Sequence, residues 1–97
     1  MPDAAIIAPN LYKVLPENDR VRVLEYRGKP GDKAAMHSHP ALAAYALRGG
    51  KVKFTSSSGE TTEAELGDGQ PMFFEATEHA TENIGTTELH IVLVELK

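Results

Sequence analysis

The sequence predicts an all-β domain, a β-sandwich or small barrel. Three observations lead there. Apolar residues recur in short runs with period two, as on half-buried strands. Clusters of Gly, Pro, Asp and Ser interrupt those runs at short, regular intervals. No stretch shows the i, i+3, i+4 spacing of a long amphipathic helix. The chain has 97 residues, the size of one domain with one modest core, here taken as residues 1–97.

The elements follow in order. Residues 1–10 read as a loose arm, or as a segment that docks on a partner. Val21 and Val23 share one face of a strand; Arg22, Leu24 and Tyr26 share the other. Gly28-Lys29-Pro30-Gly31-Asp32 is a turn cluster. Ala35 to His39 is a strand, and Pro40 directs the chain out of it. Ala43 to Leu47 is apolar throughout and reads as a buried strand closed by Gly49-Gly50. Lys51 to Thr55 alternates with Val52 and Phe54 inward. Ser56-Ser57-Ser58-Gly59 is a hairpin loop, and Thr61 to Leu66 returns with Ala64 and Leu66 inward. After the Gly67-Asp68-Gly69 turn, Met72-Phe73-Phe74 opens a strand, His79 to Asn83 forms the next, and Leu89 to Leu96 the last. On that last strand Leu89, Ile91 and Leu93 oppose His90, Val92 and Val94. Both faces are apolar, so cover on both sides is expected.

Charge and composition exclude several functions. A net charge of −4 argues against nucleic acid or an anionic membrane as partner. Cysteine is absent, which removes disulfides, thiolate metal sites and cysteine nucleophiles. The N-terminus lacks a basic start and a long apolar core, and no apolar run approaches the roughly 20 residues of a membrane span. Cytoplasm is the expected compartment.

The most informative residues are His37 and His39, with His79 further on. Residues i and i+2 of a strand point to one face, so His37-Ser38-His39 aims two imidazoles at one place. Imidazole is the commonest protein ligand for zinc, iron, copper and nickel.

Around these histidines the run Gly31-x5-His37-x-His39-x3-Ala43-x6-Gly50 resembles the first motif of the cupin family, G-x5-H-x-H-x3,4-E-x6-G. Both glycines and both histidines are in place. Where the family has glutamate this chain has Ala43, or Ala44 at the longer spacing. The family's second motif, G-x5-P-x-G-x2-H-x3-N, is matched by His79-x3-Asn83. Phe74 and Ala76 stand at its proline and inner glycine, and its opening glycine is displaced by one, to Gly67 or Gly69. The resemblance implies a double-stranded β-helix, a jelly-roll barrel with a pocket at one end. It also implies one divalent metal held by His37, His39 and His79, without the usual acidic ligand.

Three neutral ligands leave the double charge of such a metal uncompensated, which favours a small anionic substrate. All-nitrogen ligation suits iron(II) foremost, and also nickel, zinc or copper, better than manganese or magnesium. Thiol and diketone-cleaving dioxygenases of the cupin superfamily use three-histidine iron of this kind. This chain is similar to them in ligand set. Tyr45, two residues after Ala43, is expected on the pocket side as a catalytic hydrogen-bond donor. His90 is a candidate to orient a ligand, and Asn83 to tie down a turn. Met36, Met72, Phe54, Phe73 and Phe74 are expected in the core, and Glu75, Glu78 and Glu82 at the surface.

The expected function is that of a metal-dependent dioxygenase acting on a small molecule. A non-catalytic small-molecule binding module, a Lewis-acid isomerase or lyase, and a structural unit with vestigial histidines are the alternatives. A homodimer is the expected assembly, since small jelly rolls must protect their sheet edges. Asn10 to Tyr26 is the expected exchanged or interface segment.

Overall fold

The computed structural model describes residues 3–97. Among these the chain runs α1 (Ala4–Ile7), β1 (Tyr12–Glu17), β2 (Val21–Gly28), β3 (Lys33–His39), β4 (Leu42–Arg48), β5 (Gly50–Ser56), β6 (Thr61–Leu66), β7 (Gln70–Phe74), β8 (Thr77–Asn83) and β9 (Leu89–Leu96). Two antiparallel sheets result: β1-β2-β9-β4-β7 and β3-β8-β5-β6. The described residues contain no helix long and apolar enough to cross a membrane.

The core lies between the sheets. Leu24, Leu42 and Leu89, each almost wholly buried, come from the five-stranded sheet, and Val52 and Leu66 face them from the other. Burying each leucine contributes about 1.5–3 kcal/mol. Turn chemistry fits the expected places. Gly31 has φ +88°, a left-handed conformation that favours glycine. Asn83, 1% exposed, ties the neighbouring loops together. Its Nδ2 donates to Gly28 O and Thr87 O, while its Oδ1 accepts from Gly85 N.

Three expectations are corrected. The β4 strand is not buried on both faces: Leu42, Ala44 and Ala46 point inward, and Ala43, Tyr45 and Leu47 point outward. Phe73 is 59% exposed on the outer face of β7 and is not core. The N-terminal segment is no loose arm over its described part; Met1 and Pro2 lie outside the described residues. Ala4 and Ala8 are buried, Asp3 caps α1 through Ala5 N, and Asp3 bridges Ser38 of β3. Within the chain, the segment expected at an exchange or interface, Asn10 to Tyr26, carries β1 and most of β2, and β2 pairs with β9 along its whole length.

Candidate metal centre

The three histidines converge because of pairing and of one irregularity. His37 of β3 is the direct cross-strand partner of His79 of β8. Between Ala34 and His37 the register shifts: three steps along β3 match two along β8, where Ala34 pairs Thr81. This is a β-bulge. Ala34, His37 and His39 thereby all face inward and are buried. The bulge also supplies a carbonyl. Ala35 O accepts a 2.7 Å hydrogen bond from His37 Nδ1, so Nε2 carries the lone pair, and it faces the Tyr12 hydroxyl as its hydrogen-bond partner.

His39 is fixed by a side chain from another strand. Its Nδ1 donates to Glu95 Oε2 at 2.7 Å, so again Nε2 carries the lone pair. Glu95 Oε1 accepts from Arg22 Nε at 2.9 Å and Nη2 at 2.6 Å, and Arg22 also pairs with Asp3 at 2.7 Å. The buried carboxylate is therefore fully partnered, as a buried charge must be. No side-chain hydrogen bond anchors His79 among the described residues; it packs on Phe54, ring centroids 5.3 Å apart.

The rings stand edge-on to one another. Centroids are 4.9 Å apart for His37–His39, 4.8 Å for His37–His79 and 5.4 Å for His39–His79, with interplanar angles of 88°, 85° and 69°. One nitrogen from each ring lies within 4.8 Å of the others. Burial, assisted by His37 and His39, pushes the His79 pKa down to about 4, and burial likewise lowers that of His37. Both are neutral near pH 7, as ligation requires. The donor set thus fits a divalent transition metal. No acid joins it: among the described residues the cluster consists of the three histidines. Ala43 faces outward and Ala44, though inward, has no donor.

Of the other expected site residues, two lie elsewhere. Tyr45 is 46% exposed on the outer face of β4, away from the histidines. His90 is also on an outer face, where its Nε2 donates to Glu25 Oε2 at 2.7 Å. The tyrosine that does reach the cluster is Tyr12 of β1. Its hydroxyl lies 3.4 Å from His37 Nε2, and its ring packs on His37, His39 and Tyr26. Burial, with Tyr26 and Glu95 adding, raises its pKa, so the phenol keeps its proton. A cavity of about 60 Å3 between the sheets opens against His39 and His79.

No family model matches the chain, and no curated protein matches it. Solved structures do match. A cupin domain from Bordetella pertussis Tohama I superposes with a TM-score of 0.81 at 26% identity, covering 99% of this chain and 95% of that one. The chain has the cupin fold. A conserved protein with a double-stranded β-helix domain from Klebsiella pneumoniae gives 0.69 at 21% identity, over 89% of this chain and 75% of that one. A cupin family protein with a double-stranded β-helix fold from Methanocaldococcus jannaschii gives 0.69 at 14%, over 89% and 78%. In this cupin barrel the three histidines stand close enough together to be compatible with metal binding.

Proposed function

We propose that this cupin binds one divalent transition metal, iron(II) foremost, through His37, His39 and His79, and uses it to oxidise a small anionic molecule with dioxygen. The observation that carries the reading is the locked pair of tautomers. His37 and His39 each spend Nδ1 on an acceptor and keep Nε2 for a metal, beside a neutral His79. Iron(II) held there would supply redox chemistry at positions that three protein ligands leave open, and zinc would supply Lewis-acid polarisation. Glu95 holds the His39 ring against rotation and strengthens it as a donor. Tyr12, rather than Tyr45, would be the donor: once a metal takes His37 Nε2, the hydroxyl that now faces that nitrogen would turn to a substrate atom beside it.

Elemental analysis of tag-free protein tests the metal, beside a His37→Ala/His39→Ala variant. Near-stoichiometric iron, nickel, copper or zinc, lost in the variant, is expected. No metal, even after reconstitution with each ion, overturns the reading. Oxygen uptake with small thiolates and enolisable diketones then tests the reaction.

The proposed partner is a second copy of the chain on the outer face of the five-stranded sheet. Tyr45, Leu47 and Phe73 are 46%, 49% and 59% exposed there, beside Val92 and Val94. Five strands and the length of β9 give a flat footprint of roughly 600 Å2, before side-chain relief is counted. A stable interface needs about 800 Å2 of accessible surface per partner. The Glu25–His90 pair supplies a polar group on the same face.

A further inference from the structure

The cavity beside the histidines has a composition that restricts what can occupy it. Its wall includes Leu42, Val52, Phe54 and Leu93, with His39 and His79 at the metal side. Among the described residues no Lys, Arg, Asp or Glu lines it. Thr81 does, two residues from His79 on the same face of β8. Thr81 is 8% exposed, and its Oγ1 is buried with no hydrogen-bond partner. Buried hydroxyls are ordinarily paired, so an orphan beside a cavity points to a group that enters it.

We infer that this cavity receives the substrate's body and selects a singly charged molecule with a compact apolar chain and one neutral polar atom for Thr81 Oγ1. The inference rests on the metal reading, since only a metal at the three histidines would neutralise the substrate's anionic head. A second charge on the body would be buried without a counter-ion, which is strongly unfavourable. Zwitterions and dicarboxylates are thereby excluded. The cavity is small, about 60 Å3, which favours a compact body.

The test uses full-length protein loaded with zinc, which is redox-inert, and three hydroxamates that share one bidentate metal-binding head. Butyrohydroxamate has an apolar body, γ-hydroxybutyrohydroxamate adds a neutral hydroxyl, and succinate monohydroxamate adds a carboxylate at the same end. Calorimetry is expected to give at least tenfold weaker binding for the succinate probe than for butyrohydroxamate. The γ-hydroxy probe is expected to bind several-fold tighter than butyrohydroxamate. That advantage is expected to disappear in Thr81→Val and persist in Thr81→Ser. Equal binding of the succinate probe, no advantage for the hydroxyl probe, or an advantage that survives Thr81→Val overturns the inference and leaves the metal centre standing. A failure of Thr81→Val to fold leaves the charge discrimination of the unmodified protein as the deciding result. Protein that retains no zinc overturns both readings.

Discussion

His39 and Glu95, 56 residues apart in sequence, are joined by a 2.7 Å hydrogen bond with both side chains almost fully buried. The bond ties a metal-ligand candidate on one sheet to the last strand of the other. Through Arg22 it continues to Asp3, the cap of α1.

Glu95→Gln should therefore weaken the metal site without dismantling the barrel. A glutamine can still accept from His39, but its amide then faces the Arg22 guanidinium, donor against donor. Zinc affinity, read by competition with a chromophoric chelator, is expected to fall about 10–100-fold. Unchanged affinity would mean that His39 does not need its carboxylate.

Tyr12→Phe removes one hydroxyl and keeps the ring packed on His37, His39 and Tyr26. Full metal content is expected, with stability within about 1.5 kcal/mol of the parent. The visible spectrum of the cobalt-substituted protein is expected to shift on binding butyrohydroxamate in the parent, and to shift differently in the variant. Identical spectra would remove Tyr12 from the site.

Acid should destabilise the metal-free protein in a defined window. His79 takes its proton near pH 4 in the folded state and near the ordinary imidazole value of 6.5 when unfolded. Between those values the unfolded chain binds more protons, so stability falls as pH falls through the window and is level above it. His37, lowered by burial, acts in the same direction. The urea midpoint of chelator-treated protein is expected to drop from about pH 6.5 to about pH 4, with a shallower slope in His79→Gln. A flat profile would contradict the buried, neutral state of His37 and His79.

Packing and assembly separate cleanly by face. Leu42→Ala, in the core, is expected to cost about 2–5 kcal/mol. Tyr45→Glu with Phe73→Glu, on the exposed face, is expected to leave the fold intact and turn a dimer into a monomer by light scattering. A parent that is already monomeric would refute the assembly.

The histidine set was legible because its geometry is local: i, i+2 spacing for His37 and His39, and the motif for His79. The strand pattern was legible for the same reason. Tyr45 was misplaced because β4 is apolar on both faces, Leu42-Ala43-Ala44-Tyr45-Ala46-Leu47, so alternation carries no inside or outside. Only pairing with β7 and β9 decides it. Tyr12 reaches the cluster across sheets, a relationship that no local pattern records. Glu95 left a usable signal. It continues the inward series Leu89, Ile91, Leu93, and a carboxylate on such a face requires a partner.

The bulge in β3 sets backbone regularity against ligand orientation. Deleting Met36 would make this stretch a plain alternating strand, with Ala34, His37 and His39 still inward and the pairing to β8 intact. The barrel would lose an irregularity and keep its core. Yet the Ala35 carbonyl would no longer be turned toward His37 Nδ1, and the ring would be free to exchange its nitrogens. A shortened strand of this kind is expected to fold as well as the parent while presenting His37 to a metal in two orientations instead of one.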